Sequence, residues 1–281
     1  MTNTTPEKSS LSFVLFSYNE DARIEYAIRC FRDFGPVIIM DGGSTDKTKE
    51  IAESLGALFL SRPASSLPQS ETQQNFDFIK KHTNTPWIYW GYVDNIAPRT
   101  LAQKLVELAE QSVYKKVMVP MYTYLWGETS HPAQISEFPA TFHRDYMDFS
   151  DNHIHHMGRF TGAASEILTL PPRQEYALRH FSTYTIGKFV AGHMRYAEEE
   201  SHYKFESGEK FSLVKTFLAM IRYCYIFRRS VLLGRAGVII MVSYAFSRFM
   251  VYARLFEREH DITLASVENS YSVAKEKLLS E

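Results

Sequence analysis

The chain has 281 residues, of which 45% are hydrophobic and 22% are charged, and its formal net charge is −1. This balance is typical of a globular protein, so we expect one large domain, or a domain with an appendage, and exclude extended disorder away from the termini. We expect no nucleic-acid partner.

Residues 1–10 are polar and contain no apolar stretch, which predicts that there is no secretory signal peptide and that the location is cytoplasmic. The two cysteines, Cys30 and Cys224, are far apart, and each lies within a helical pattern. We expect them to be core thiols in a reducing compartment, because they form neither a CxxC metal spacing nor an evident disulfide pair.

The first sixty residues alternate between short apolar runs and amphipathic segments. Ile24, Ala27, Ile28 and Phe31 recur at the spacing of one helix face. The alternation predicts a parallel sheet with right-handed crossovers. The predicted strands are 12–17, 37–40 and 58–60, and the predicted helices are 23–33 and 47–55.

The pattern changes twice further along the chain. Residues 62–70 read as a Pro- and Ser-rich loop, and 126–182 are irregular, with a short β-like piece at 166–170. The predicted elements between these regions are the helix 71–82, the strand 87–92, the helix 99–111 and the strand 117–124. From residue 184 onward we predict helices over 187–197, 211–227 and 231–257.

Residues 37–48 pass from a buried strand to a helix across a turn. Asp41 would lie at the carboxyl end of the strand, where open α/β sheets place their ligand crevices. Gly42 and Gly43 allow a sharp turn, and residues 44–46 can cap the next helix. We favour a nucleotide ligand here over an ordinary βα turn without one.

Residues 211–258 carry eight basic residues and one acidic residue, Glu257. The basic residues alternate with Phe, Tyr, Leu, Ile and Met, as in amphipathic helices that bind an anionic membrane surface. The longest uncharged stretch, 236–247, is shorter than the roughly 20 residues that cross a bilayer. We expect this segment to lie on a membrane; the alternative is helices that pack on the catalytic body or on a second subunit.

Polar residues also end three predicted strands: Asn19 and Glu20 follow the first, Asp41 and Asp46 the second, and Asp94 a later one. Carboxylates that converge at one sheet edge can bind a base or ribose and hold a divalent metal against a diphosphate. The sequence has no Walker-type loop and no GxGxxG, which argues against ATP hydrolysis and dinucleotide chemistry.

In these motifs the chain resembles the family 2 inverting glycosyltransferases of GT-A fold, especially bacterial enzymes of lipopolysaccharide-core and capsule assembly. The resemblance covers most of residues 11–258. It implies an α/β fold with a Rossmann-like, mostly parallel sheet flanked by helices; the C-terminal helical region is the one expected from its composition to associate with membranes. The matching segments are Ser17-Tyr18-Asn19-Glu20, 41–48, Gln74-Asn75, Val93-Asp94-Asn95 at the DxD position, His180-Phe181, Lys188, Arg195-Tyr196, 199–201 and 233–237.

The resemblance implies roles for these residues. Asp41 is similar to the aspartate that contacts the nucleotide base, and Asp94 to the DxD member that coordinates a metal beside the diphosphate. We therefore expect a divalent cation, Mn²⁺ or Mg²⁺, with Asp94 as its ligand. The predicted donor-binding residues are Ser17, Tyr18, Asn19, Glu20, Asp41, Gly43, Asp46, Gln74, Asn75, Tyr92, Val93 and Asp94.

The DxD motif departs from the family pattern. Its first carboxylate falls on Tyr92, so the segment supplies only one acidic group, Asp94. Metal binding could then be weaker, recruit a histidine or be lost.

The catalytic base is the second departure, because family members often carry His-Glu where this chain has residues 152–159, NHIHHMGR. An imidazole or carboxylate there can take the acceptor proton, which makes His156, His155 and Asp151 the candidates. A zinc site at His153 and His155 lacks a third ligand, so hydrogen-bonded or solvated histidines are favoured. Arg144 and Arg159 are placed on the acceptor side; an ion pair with Asp145 or Asp148 explains Arg144 almost as well.

The sequence thus predicts a cytoplasmic glycosyltransferase of hexosyltransferase type, peripheral on the inner face of the cell membrane. It would move a sugar from a UDP-, GDP- or dTDP-linked donor to a lipid-linked or glycan acceptor in polysaccharide or lipopolysaccharide synthesis. The alternative is a catalytically degenerate sugar-nucleotide-binding or interaction subunit; nucleotidylyltransferase chemistry ranks last, and a homo-oligomer stays open. The predicted division is a flexible N-terminus (1–10), a nucleotide-sugar-binding half (11–125), an acceptor-side or lid region (126–182), a helical membrane-associating region (183–258) and a tail (259–281).

Overall fold

The computed structural model describes residues 9–64, 70–150, 152, 157–182 and 184–280. The chain forms two compact units. The first comprises the residues up to Thr123 together with Ile135–Ser182, and the second comprises Tyr124–Gln134 together with Thr183–Glu281. The region predicted as a separate lid, 126–182, is therefore mostly part of the first unit.

The first unit contains the strands and the shorter helices. Its helices are α1 (Ile24–Phe31), α2 (Thr48–Ser54), α3 (Gln73–His82) and α4 (Arg99–Gln111), with 3-10 turns at Arg144–Tyr146, Ala164–Glu166 and Gln174–Tyr176. Its strands, two of which extend slightly into the second unit, are β1 (Leu11–Ser17), β2 (Val37–Asp41), β3 (Leu58–Ser61), β4 (Trp87–Tyr92), β5 (Asn95–Ile96), β6 (Lys116–Leu125), β7 (Gln134–His143), β8 (Met147–Asp148), β9 (Arg159–Phe160), β10 (Ile167–Thr169) and β11 (Leu178–Ser182).

Nine of these strands form one sheet in the described part of the chain. The order is β3-β2-β1-β4-β7-β6-β11-β5, and β10 pairs with β6. The pairs β1–β2, β1–β4 and β2–β3 are parallel, as predicted. However, β7 runs antiparallel to β4 and β11 antiparallel to β5, so the complete sheet is mixed.

The strand β1 is buried at every position because the sheet is covered on both faces. Phe13 and Leu15 belong to one apolar cluster, and Val14 and Phe16 belong to a second cluster. The residues of α1 that show helical spacing are also the ones that it buries. The predicted α/β layering is thus confirmed for the first half of the chain.

The strand β7 is the main element that the sequence interpretation missed. It lies inside the stretch expected to be irregular, and its pairing of Trp87 with His143 attaches it to β4. The strands β10 and β11 extend the same sheet, and β10 matches the short β-like piece expected at 166–170. The expectation of an irregular region is therefore wrong for β7 and β11, whereas the β-like piece expected at 166–170 is confirmed by β10.

The second unit is helical. The α5 helix extends to Glu206 rather than ending near residue 197, and most of the expected tail, 259–281, forms α8. Its helices are α5 (Ile186–Glu206), α6 (Leu213–Ile226), a 3-10 segment (Arg228–Leu233), α7 (Gly234–Glu259) and α8 (Leu264–Ser280).

Four of the eight basic residues in 211–258 form ion pairs inside the second unit. Carboxylates that precede this window accept them: Arg248 lies 2.5 Å from Glu200, and Arg254 lies 2.6 Å from Glu198. Arg258 also pairs with Glu198, and Lys215 pairs with Glu209. Among the described residues the other four make no ion pair within 4 Å, and all four are exposed: Arg222, Arg228, Arg229 and Arg235.

The α6 helix buries one residue, Thr216, and leaves an apolar face exposed. Leu213, Val214, Phe217 and Ile221 are each at least 60% exposed. In the described chain one helical stretch, Arg228–Glu259, which joins the 3-10 segment to α7, has the length and composition to cross a membrane, and 28% of its most apolar window is buried. The sequence argument that this region is too short considered only its uncharged residues, so it does not hold for the helix as folded.

A glycine near the start of α7 allows close packing within the second unit. A Cβ added to Gly237 would lie 1.5 Å from the carbonyl oxygen of Ser230, whose hydroxyl donates to the Gly237 carbonyl at 3.0 Å. The turn before α7 therefore requires a residue without a side chain at this position.

We expect Gly237→Ala to lower the free energy of unfolding by about 1–3 kcal/mol or more, because the backbone must shift to admit the methyl group. The matched control is Gly192→Ala in α5, where a Cβ meets nothing within 4 Å. That change should be neutral or stabilising by about 0.5–1 kcal/mol. Urea unfolding followed by circular dichroism measures both; equal midpoints for the two variants would contradict the packing assignment.

Candidate functional site

The carboxyl ends of β1, β2 and β4 lie at one edge of the sheet. Ser17 pairs with Asp41 across β1 and β2, and Phe16 pairs with Tyr92 across β1 and β4. Because these strands are parallel, the polar residues that follow them are brought to the same edge. The structure thus brings together the strand-end residues that the sequence indicated.

The Asp41 carboxylate holds the turn after β2. Its Oδ1 accepts the hydroxyls of Ser17 at 2.8 Å and Ser44 at 2.5 Å. Its Oδ2 accepts the N–H groups of Gly43 at 2.8 Å and Ser44 at 2.7 Å. With 3% of its surface exposed, Asp41 organises the turn, and its contact with a nucleotide base stays a prediction.

Asn19 connects the loop after β1 to the loop after β2. Its N–H donates to the Ser44 hydroxyl at 2.7 Å, and its side-chain oxygen accepts the Thr45 N–H at 2.9 Å. Its φ of +53° is a left-handed conformation that asparagine tolerates better than most residues. The two loops therefore form one hydrogen-bonded structure.

Further hydrogen bonds tie the same loops at the start of α2. The Glu20 N–H donates to the Thr48 hydroxyl at 2.7 Å, and the Asp21 N–H donates to Asp46 Oδ2 at 3.1 Å. Burial opposes ionisation of Asp46, but hydrogen bonds from Thr48 and Asp21 hold its pKa below the ordinary value. Asp46 is thus a hydrogen-bond acceptor within the loop after β2, the position that the sequence analysis gave it.

Three carboxylates interact electrostatically near Glu20. Burial raises the pKa of Glu20, Arg23 opposes that shift through two contacts of 2.5 Å, and Asp94 and Asp46 raise the pKa further. Carboxylates that destabilise each other's charge favour a bound cation. This edge of the sheet is therefore suited to a positively charged ligand.

Asp94 lies against a histidine from β11. His180 Nε2 is 3.1 Å from Asp94 Oδ2, and its Nδ1 is 3.4 Å from the Thr123 hydroxyl. Pairing of His180 with Asn95 between β11 and β5 produces this approach. An imidazole and a carboxylate are both ligands for divalent transition metals, so Asp94 and His180 are the residues here that could hold one. The sequence gave His180 no role, because only the strand pairing reveals its partner.

Tyr92, which replaces the first DxD carboxylate, hydrogen-bonds to another carboxylate. Its hydroxyl donates to Glu71 Oε1. Burial raises the pKa of Glu71, and the charge of Arg62 opposes that shift. Glu71, unassigned by the sequence, therefore brings an acidic group to the position where the motif lacks one.

The other predicted donor residues differ in accessibility. The Tyr18 side chain is exposed, whereas Val93 is 1% exposed and packs in the core, so only its backbone can meet a ligand. Gln74 is exposed, and its amide donates to the Ala64 carbonyl at 3.3 Å. Asn75 is buried and donates to the Ser70 carbonyl at 2.8 Å, which fixes the start of α3.

The two predicted acceptor-side arginines each have partners of their own. Arg144 donates to the carbonyl oxygen of Thr83 at 3.0 Å, beside the beginning of β4, and Asp94 follows the end of that strand. The structure therefore does not bring Arg144 to this site. Arg159 pairs with Asp148 at 2.5 Å between β8 and β9, and hydrogen bonds from Ser150, assisted by Arg159, lower the pKa of Asp148 to about 2.

The candidate catalytic bases Asp151, His155 and His156 lie outside the described residues, as do both histidines of the zinc hypothesis, His153 and His155. Their assignments stay predictions. The described residue between them, Asn152, donates to the Glu71 carbonyl at 2.7 Å and accepts the Gly158 N–H at 2.9 Å.

Comparison with known proteins identifies the family. The model of glycosyl transferase family 2 matches residues 12–167, which include β1 from Ser12 onward, both loops and Asp94. The chain therefore belongs to glycosyl transferase family 2. Its fold is the GT-A type, a mixed sheet flanked by helices with a helical C-terminal region, and this family 2 protein is a glycosyltransferase.

Relatives are distant. An uncharacterized glycosyltransferase of Rickettsia bellii is 25% identical over 262 residues, which cover 88% of this chain and 86% of that protein. Glycosyltransferase AglJ of Haloferax volcanii is 29% identical over 104 residues, covering 36% of this chain and 33% of the relative. The UDP complex of glucosyl-3-phosphoglycerate synthase from Mycobacterium tuberculosis has a TM-score of 0.36 and 20% identity, covering 49% of this chain and 57% of that one.

The Asp41 network predicts a specific mutational effect. In Asp41→Asn one side-chain oxygen becomes an NH₂ group, which cannot accept the two hydrogen bonds that this oxygen receives, so two of the four are lost. We expect a loss of about 1–3 kcal/mol in the free energy of unfolding. Asp33→Asn is the matched control, since that carboxylate is exposed in surface ion pairs with Arg32 and Arg99. Equal denaturation midpoints for the two variants would show that the network is not required.

Proposed function

We propose that this glycosyltransferase transfers a sugar, with inversion, from a UDP-, GDP- or dTDP-linked donor to a lipid-linked or glycan acceptor. A role in cell-envelope polysaccharide or lipopolysaccharide synthesis is part of the proposal. The observation that supports it most is the hydrogen-bonded joining of the β1 and β2 loops next to Asp94 and His180. That arrangement offers a nucleoside pocket beside a site for a diphosphate and its cation.

The donor set fits Mn²⁺ or Mg²⁺ bound with a diphosphate. Asp94 and His180, whose side chains lie 3.1 Å apart, would hold the cation. No group of three metal-binding side chains is found in the part of the chain that the structure describes, so the protein would supply two ligands. Such cations in nucleotide enzymes take one or two protein ligands and complete their shell with phosphates and water. When bound, the cation neutralises the charge that develops on the leaving diphosphate.

The reaction needs one bond to form as another breaks. The acceptor oxygen attacks the anomeric carbon, and the electron pair of the carbon–oxygen bond leaves with the diphosphate. The acceptor proton passes to a base, for which His156, His155 and Asp151 remain the candidates. Attack opposite to the leaving group produces inversion.

We expect Asp94→Asn to lower kcat for nucleoside diphosphate release by about 10²–10³-fold, because the substitution removes the charge that holds the cation. The assay uses a panel of sugar nucleotides with Mn²⁺ or Mg²⁺, and a chelator should lower the rate of the wild-type chain. Asp33→Asn is the control and should leave the rate unchanged. Failure of the wild type to release nucleoside diphosphate from any donor would overturn the proposal.

A degenerate sugar-nucleotide-binding subunit is the second candidate. The observation that favours it is Tyr92 at the position of a carboxylate, hydrogen-bonded to Glu71. Such a subunit would bind the donor equally well with or without metal and in the Asp94→Asn variant, and it would show no turnover.

We also propose that the second unit docks on an anionic membrane at the cytoplasmic face. Six exposed apolar residues of α6 fall within about 140° of the helix circumference, and Arg222 lies just beyond them. On α7, Arg235 shares a face with the exposed Val238, Val242 and Phe246. An apolar face next to unpaired arginines complements a lipid surface, which is apolar inside and anionic outside.

The charged residues on the other side of α7 favour docking on the membrane surface over spanning the bilayer. Arg248, Arg254 and Arg258 lie within the long helix and pair with Glu198 and Glu200 inside the unit. A bilayer core would have to accept all of these charges, which is costly. Surface docking requires burial only of the exposed apolar face.

We expect replacement of Arg222, Arg228, Arg229 and Arg235 by glutamine to weaken binding to anionic liposomes by roughly a thousandfold at low salt, since each contributes about 1 kcal/mol near such a surface. The matched control replaces four exposed arginines of the first unit by glutamine: Arg29, Arg32, Arg99 and Arg173. It removes the same charge and should retain binding.

Co-sedimentation with neutral and anionic liposomes measures the effect, and high salt should release the wild type. Equal weakening in both quadruple variants would contradict a localised docking surface. Resistance of membrane-bound protein to high salt and alkaline extraction would instead favour a spanning helix.

A further inference from the structure

An arginine outside the predicted site lies on the turn after β2. The Arg62 N–H donates to the Asp41 carbonyl at 2.8 Å, which fixes the backbone after β3 beside this turn. A Cβ added to Gly42 would lie 2.6 Å from Arg62 Nη2. The guanidinium thus occupies the space that any other side chain at position 42 would need.

The Arg62 guanidinium has unused hydrogen-bonding capacity. It is half-buried, and within the described ranges it makes no hydrogen bond and no ion pair within 4 Å. Burial lowers the pKa of Arg62, and the charges of Asp41 and Glu71 raise it from a longer distance. Asp41 already accepts four hydrogen bonds, and Glu71 accepts hydrogen bonds from Tyr92, from Ser70 and from its own backbone, so neither carboxylate pairs with the Arg62 guanidinium.

A guanidinium has five N–H donors and no acceptor. Partly buried donors without partners cost free energy, which a ligand that offers acceptor atoms would recover. The chemistry of the site therefore selects for an acceptor-bearing group above Gly42.

The position of Arg62 in the sheet indicates which part of the donor it meets. The strand order places β3 three strand spacings from β4, or about 14 Å. The proposed diphosphate lies near Asp94, which follows β4, so the nucleoside extends toward β2 and β3. Arg62, at the end of β3, faces the base end.

We propose that Arg62 reads the base of the donor by donating hydrogen bonds to a ring carbonyl oxygen. Uracil, thymine and guanine carry such an oxygen where cytosine and adenine carry an amino group. The amino group is itself a donor, so it leaves Arg62 unpaired. Gly42 is needed for the same contact, because only glycine at this position leaves room for the Arg62 guanidinium. This inference rests on the proposed donor site.

The direct test is calorimetric titration of the full-length chain with UDP and CDP, which differ at C4 (a carbonyl or an amino group) and in the proton on the neighbouring N3, and with GDP and ADP. The wild type should bind UDP more tightly than CDP, and GDP more tightly than ADP. Arg62→Ala should weaken binding of that member by about tenfold or more and leave the amino-bearing member nearly unchanged. Arg62→Lys, which keeps the charge but loses the planar fork, should recover only part of the preference.

A second variant tests the geometry without removing the arginine. Gly42→Ala should abolish the same preference, because its methyl group displaces the flexible end of Arg62. Gly192→Ala is the control for a glycine replaced in open space. Circular dichroism and thermal unfolding establish that each variant is folded.

The outcomes separate this inference from the proposed function. If the wild type binds none of the four nucleotides, the donor site and the inference both fail. If it binds them and Arg62→Ala weakens UDP and CDP equally, Arg62 contacts the phosphates or supports the fold, and the base-reading assignment is overturned. Unchanged affinities in Arg62→Ala overturn it as well.

Discussion

The structure of the site depends on the four hydrogen bonds accepted by the Asp41 carboxylate. Two come from hydroxyls, one on β1 and one in the turn, and two come from backbone N–H groups of the turn. Only a carboxylate offers enough acceptor positions in so small a volume. It fixes Ser44 in place, and Ser44 in turn accepts the N–H of Asn19. The geometry of both loops therefore follows from one buried charge.

The local order of the first unit could be predicted because each of its early elements carries its own periodicity. The helix expected over 99–111 is α4, and the strand expected over 87–92 is β4. By contrast, β7 contains Pro139, is half-exposed over its first half, and owes its place to β4, far away in sequence. A strand defined by a distant partner leaves a weak local pattern, and its pairing makes the sheet mixed.

The same distinction applies to the site. Strand-end residues such as Asn19, Asp46 and Asp94 are predictable, because the carboxyl ends of parallel strands meet at one edge. The partners that complete the site are not, since His180 reaches Asp94 across 86 positions and Glu71 reaches Tyr92 across 21. Both are ordinary residues in their own segments. Their importance arises only from the pairing of β11 with β5 and from the loop before α3.

The second unit shows that the charged residues counted in one sequence segment do not describe the charge of the folded surface. The window 211–258 counts eight basic residues, but the carboxylates that neutralise Arg248, Arg254 and Lys215 come from the segment before it. Helix packing therefore separates the positive charges into an internal set and an exposed set. An internal ion pair contributes nothing to the attraction of a membrane, whereas an unpaired surface arginine acts over about a Debye length. Within the window 211–258, the described basic residues that make no ion pair are the four arginines from α6 to the first turn of α7, so this segment attracts an anionic surface mainly through them.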